Sequence, residues 1–146
     1  MDVKSAFLHG VINEVVYVNK PPGFEDPLHR DQVYKLDKAL YGLHQAPQAW
    51  YETLSTHLLN NGFIRGVINC TLFIQEKDGD LLLVQVYVDD IVFGSTNDVL
   101  CKSFEKVMKD KFEMSSMEEM KFFLGLQVDQ LFDDVKLVSQ NAVKSE

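Results

Sequence analysis

The chain has 146 residues, which sizes it for about one domain, and at 46% hydrophobic and 25% charged it reads as a soluble globular protein able to bury a core. No run of about 18 apolar residues exists to span a membrane, and Met1-Asp2-Val3-Lys4 does not open a signal peptide. The net charge of −8, from 14 basic and 22 acidic residues, excludes the basic excess of a self-sufficient nucleic-acid binder. Cys70 and Cys101 stand alone, and His9, His29, His44 and His57 have no zinc spacing. That pattern fits reduced thiols in an intracellular, non-secreted protein.

Met1 to Phe7 reads as a short strand entering a turn near His9-Gly10. Glu14 to Asn19 is β-prone and is ended by Pro21-Pro22-Gly23. A polar loop covers Glu25 to Gln32, and Val33 to Leu36 offers a short strand. Pro47 to Asn61 reads as a helix. Pro47 suits the first turn, Trp50, Leu54, Leu58 and Leu59 make an apolar stripe, and Gly62 fits the C-terminal cap. The stripe reads as core. Thr71 to Gln75 and Leu81 to Val88 read as strands joined by Lys77-Asp78-Gly79-Asp80, since Asp-Gly between apolar runs signals a tight hairpin. Ile91 to Gly94 continues as strand. Ser95 to Asn97 offers caps for an amphipathic helix carrying Val99, Leu100, Phe104, Val107 and Met108 to about Lys111. Ser116 to Glu119 has capping-box spacing for a short helix. Phe122 to Val128 returns to strand, with Lys136 to Ser139 pairing back onto it. Two main helices and a mostly antiparallel sheet predict an α+β fold of the split β-α-β type.

Within this order, Asp89-Asp90 interrupts the most apolar stretch of the chain. Two charges about 4 Å apart repel by roughly 4 kcal/mol at an effective dielectric near 20. A divalent cation would cancel that repulsion. With 13 aspartates in the chain, about one such pair arises by chance, so the dipeptide alone is equally a plain turn. Asp133-Asp134, flanked only by Leu131-Phe132 and Val135, reads as a solvated turn. An alternative for Asp89-Asp90 is a phosphoacceptor signalling domain, but there a helix follows the acidic pair, and here a strand does. In the split fold, the first strand and the hairpin can be neighbours, which would bring Asp2 to Asp89 and Asp90.

Five blocks in register resemble the reverse transcriptase of copia-type (pseudoviral) retrotransposons. They are Asp2-Val3-Lys4-Ser5-Ala6-Phe7-Leu8-His9-Gly10; Val16-Tyr17-Val18 with Pro21-Pro22-Gly23-Phe24; Leu40-Tyr41-Gly42-Leu43-His44-Gln45-Ala46-Pro47 with Ala49-Trp50-Tyr51; Tyr87-Val88-Asp89-Asp90; and Phe122-Phe123-Leu124-Gly125-Leu126-Gln127-Val128. The resemblance implies a polymerase palm over residues 1–130, with a fingers-side insertion over about 8–50, and a divergent tail or hairpin over 131–146. It implies incomplete fingers and no full thumb. Asp2, Asp89 and Asp90 would be the catalytic carboxylates and hold two Mg²⁺ ions, with Mn²⁺ as the alternative, for two-metal nucleotidyl transfer. Phe7 and Gln45 would contact the incoming nucleotide. Tyr87, Val88, Phe123, Leu124, Gly125 and Leu126 would contact the primer.

Taken without the family, Phe7 reads as a buried core aromatic, Gln45 as a loop residue, and the primer-contact residues as plain strand. The implied partners are an RNA or DNA template-primer and deoxynucleoside triphosphates, in a cytoplasmic virus-like particle or the nucleus. Where the family pattern has arginine this chain has Gln48, where it has glycine Glu118, and where it has aspartate Asn69. The family also has an acidic residue near Val15. The family polyprotein has basic fingers residues before Asp2, and a thumb, a connection and a ribonuclease H domain later. From this the isolated chain is expected to bind nucleic acid weakly, to fray at Asp2, to expose an apolar edge at its first strand and to be inactive alone. A non-catalytic relic or interaction fragment is the competing reading.

Overall fold

Asp78 and Gly79 both adopt left-handed backbone, with φ of 55° and 86°, between residues paired as Lys77 to Asp80. This is the two-residue turn with both corners at positive φ, which Asp-Gly suits and whose twist matches that of the strands. Around it a computed structural model describes residues 1–29, 31–114, 122–123, 126–131 and 134–139. The elements are β1 (Val11–Val18), β2 (Tyr34–Lys38), α1 (Ala46–Asn60), β3 (Ile64–Arg65), β4 (Leu72–Lys77), β5 (Asp80–Tyr87), β6 (Asp90–Ser95) and α2 (Asp98–Lys111), then β7 (Phe122–Phe123), β8 (Leu126–Leu131) and β9 (Asp134–Ser139). Strands β3 to β6 form one antiparallel sheet in chain order. β1 pairs with β2, and β7, β8 and β9 form a third sheet. The fold is α+β, with two α-helices among the described residues, as expected.

The core follows from two periodicities. Along β5, Leu82, Val84 and Val86 are buried while Leu81, Leu83 and Tyr87 are exposed, the period of two that gives a strand one inward face. Trp50, Leu54 and Leu58 on α1, and Leu100, Phe104 and Met108 on α2, repeat every four residues. All of them meet that face in one cluster. Both helices therefore cover the same side of the sheet. Leu59 and Val99 fall outside the stripes and are exposed, one helical step of 100° from the buried rows. Asn97 caps α2 through its side chain, accepting from Val99 N at 2.9 Å.

The N-terminal segment departs from the expected strand. Asp2 makes an isolated antiparallel bridge to Asp90, and Val3 one to Met114. The chain then turns through Ser5, at φ 52°, into a 3-10 turn over Ala6–His9. Pairing antiparallel to both neighbours, residues 2–3 sit between β6 and the Met114 segment, which therefore run parallel. With α2 between them these make a split β-α-β unit. The expected apolar edge is absent here among the described residues, because Val3 is buried. Nor is the end loose, since Met1 N donates to Ile91 O and Ile91 N to Met1 O, both at 2.8 Å.

The single strand expected from Phe122 to Val128 is instead two, β7 and β8, paired antiparallel with Phe123 opposite Leu126, and the expected return of Lys136 to Ser139 pairs with β8. The predicted helix at Ser116 to Glu119 lies outside the described residues. Among the described residues no helix is long and apolar enough to cross a membrane.

Candidate polymerase active site

β5 and β6 are paired to their ends, with Tyr87 opposite Asp90, so Val88 and Asp89 are the corners of the hairpin. Val88 has φ 54°. A two-residue hairpin wants positive φ at its first corner, a position that glycine fills without strain. For a β-branched residue it is a genuine outlier, of the order of 1–3 kcal/mol. The turn is held from outside: the indole Nε1 of buried Trp50 donates to the Val88 carbonyl at 2.7 Å. Val3 N donates to the next carbonyl, that of Asp89, at 3.2 Å.

Asp2 faces Asp90 directly. The bonds Val3 N to Asp89 O and Ile91 N to Met1 O flank the pair, which makes it a non-hydrogen-bonded pair, the kind with the closer side chains. Their chain neighbours Val3 and Ile91 are buried. Asp2 and Asp90 therefore project from the face that the helices leave open, as does Tyr87. Burial, then the charge of Asp89, then that of Asp2 push the Asp90 carboxyl above the usual carboxylate range, while the nearby N-terminal ammonium acts the other way. The three aspartates of the sequence analysis thus come to one place, within electrostatic reach of Asp90. Their donor chemistry, hard anionic oxygens on an open face, fits a divalent cation such as Mg²⁺. As the side chains stand, no group of three or more His, Cys, Asp or Glu among the described residues is gathered tightly enough to hold an ion.

The other expected site residues are distributed as follows. Phe7, half-buried, packs against both core clusters, with its ring 4.7 Å from that of Tyr41. Gln45, just before α1, donates through Nε2 to Glu14 Oε2 at 3.2 Å. It lines a shallow cleft of about 160 Å³ with Ile12, Gln48 and Glu52. Tyr87 and Val88 are exposed beside the aspartates. Phe123 pairs with Leu126 at the end of β7, and Leu124 and Gly125 lie outside the described residues. Gln48, at the departure from arginine, donates to Glu52 one turn on at 3.1 Å. The residue that sequence reasoning passed over is Trp50, read only as core. The available signal was that a buried indole N–H nearly always finds an acceptor, but the pattern could not say which.

The class is α+β, with Asp89 and Asp90 at a hairpin and Asp2 bridged beside them. Residues 1–145 match the family model described as reverse transcriptase (RNA-dependent DNA polymerase). The chain is 37% identical over 131 residues to the retrovirus-related Pol polyprotein from transposon RE2 of Arabidopsis thaliana, covering 90% of this chain and 9% of that protein. The RE1 polyprotein of the same plant matches at the same identity and coverage. The polyprotein from transposon TNT 1-94 of Nicotiana tabacum is 30% identical over 129 residues, covering 88% of this chain and 10% of it. The chain belongs to the reverse transcriptase family, in its copia-type retrotransposon branch. It spans about a tenth of the length of these relatives. No solved structure matches.

Proposed function

We propose that this chain is the palm core of an RNA-directed DNA polymerase, with residues 1–130 as palm, about 8–50 on the fingers side, and 131–146 as an appended hairpin. Asp2, Asp89 and Asp90 are the cation ligands and catalytic carboxylates. The observation that carries the reading is the direct pairing of Asp2 with Asp90 beside Asp89, on the open face of the sheet, in a chain of this family. When bound, two Mg²⁺ ions (or Mn²⁺) would supply a lowered pKa for the primer 3′-hydroxyl and neutralise charge on the leaving pyrophosphate. The chain's own contribution is positional. The backbone bonds Val3 N to Asp89 O and Ile91 N to Met1 O hold the two carboxylate-bearing segments in register. Phe7 and Gln45 border the incoming nucleotide; Tyr87, Val88 and Phe123 to Leu126 border the primer end.

The substrates are a template-primer of RNA or DNA and deoxynucleoside triphosphates, in the cytoplasm or nucleus. On its own the chain does not extend a primer, because a surface with net charge −8 holds the polyanion weakly.

Two measurements test this, with Asp89→Asn/Asp90→Asn as the comparison. Mg²⁺ or Mn²⁺ is expected to raise the melting temperature of the wild-type chain and not that of the double variant. An equal response would remove the cation assignment. In primer extension with Mg²⁺ and deoxynucleotides the two proteins are expected to be equally silent. Incorporation above the variant would show that the chain suffices alone.

A further inference from the structure

Val88 occupies a conformation that its side chain opposes. Such a residue persists only where its surroundings over-determine it. Two bonds do so here, on consecutive peptide planes. The Val88 carbonyl shares its plane with the nitrogen of Asp89, so an acceptor bond there fixes the Val88 ψ and limits the Asp89 φ. That bond comes from Trp50 Nε1 at 2.7 Å. The following carbonyl, of Asp89, is held by Val3 N at 3.2 Å.

Trp50 can act as a fixed point because it is clamped itself. The residue is 1% exposed. Phe112 meets its ring edge-on at a centroid distance of 5.2 Å, and the ring of His9 lies 6.1 Å away. Its backbone nitrogen would lie 2.8 Å from a Cβ at Gly10, so the 3-10 turn presses directly on α1 at this residue.

We propose that Trp50 is a positioning residue: by donating its indole N–H to the Val88 carbonyl, it keeps the hairpin corner left-handed and fixes where Asp89 and Asp90 stand. Its consequence for cation binding rests on the assignment of the aspartates as ligands. Its effect on the turn does not.

The chain contains one tryptophan, so a nitrogen-15 spectrum of the full chain has one indole signal, and that signal reports this bond. Trp50→Phe keeps an aromatic ring and removes the donor. In that variant the amide signals of Val88, Asp89 and Asp90 are expected to shift, and the Asp90 amide, which faces Tyr87 across the hairpin, to exchange with solvent about tenfold faster, the upper range for one lost hydrogen bond. Those of the Asp78-Gly79 hairpin are expected to stay in place. Mn²⁺ affinity falls by a similar factor of about ten. Adding Val88→Gly, which takes positive φ without strain, recovers most of that affinity, an outcome that a merely structural tryptophan would not give.

Unmoved turn amides in Trp50→Phe would overturn the proposal. If wild type binds no Mn²⁺, the cation assignment fails and the turn amides still decide the positioning role. If Trp50→Phe does not fold, the wild-type indole proton decides: protection from exchange supports the bond, and exchange as fast as in free tryptophan overturns it.

Discussion

Asp90 carries a charge that the fold disfavours. Burial, Asp89 and Asp2 hold its carboxyl above the usual range, so the folded chain binds this proton more tightly than the unfolded chain does. Its favourable contribution is complete below about pH 4 and is lost as the pH rises through the raised value. Asp90→Asn removes that loss. Without divalent cations the variant is expected to melt about 2 °C above wild type at neutral pH and level with it near pH 3. Largely exposed charges couple by less than about 1 kcal/mol, and 1 kcal/mol moves the melting point of a domain this size by about 4 °C. Wild type melting higher at neutral pH would contradict the electrostatic reading. The departure at Asn69 has a local explanation. Its Oδ1 accepts from Thr71 N and Thr71 Oγ1 at 3.0 and 2.7 Å, and its Nδ2 donates to Gln85 Oε1 at 3.2 Å. An aspartate could make the first two bonds and not the third.

Among the elements, the junction between the 3-10 turn and β1 is packed without room for a side chain at Gly10. A Cβ on Gly10 would come within 2.8–2.9 Å of the Trp50 nitrogen and of Ala49, most of it backbone that cannot give way. Gly10→Ala is expected to lose about 1–3 kcal/mol in denaturant unfolding, the usual range for overpacking. A loss under about 0.5 kcal/mol would mean that the junction yields. The same contact explains why the expected strand from Met1 to Phe7 is reduced to two bridges. The chain must leave the sheet at Ser5 to bury Ala6 and bring Gly10 onto α1. The apolar pattern of residues 1–7 carries no mark of that turn. The Asp78-Gly79 hairpin and both helices were legible because their signals are local. Leu59 was misread because its spacing suits a stripe, and only the position of the sheet says which row is covered.

For the whole molecule, the acidic balance bears directly on the proposed binding of nucleic acid. A gel-shift of the chain at low salt with a primer-template is expected to give a dissociation constant above the micromolar range, since an overall negative surface gains little from counterion release. Sub-micromolar affinity would refute this. Composition, hairpin chemistry, helix periodicity and five motif blocks in register determined the α+β class, most element positions and the family, and singled out three aspartates as candidates, because each is written in residues close together in sequence or in their order. The tertiary structure decided the rest. It set Asp2 opposite Asp90 by slotting residues 2–3 between β6 and Met114. It forced Val88 to a positive φ and gave Trp50 the carbonyl that holds it. Those are contacts between segments 38 to 111 residues apart, and a pairing at that separation depends on how the sheet and helices close around one core, which no local pattern specifies.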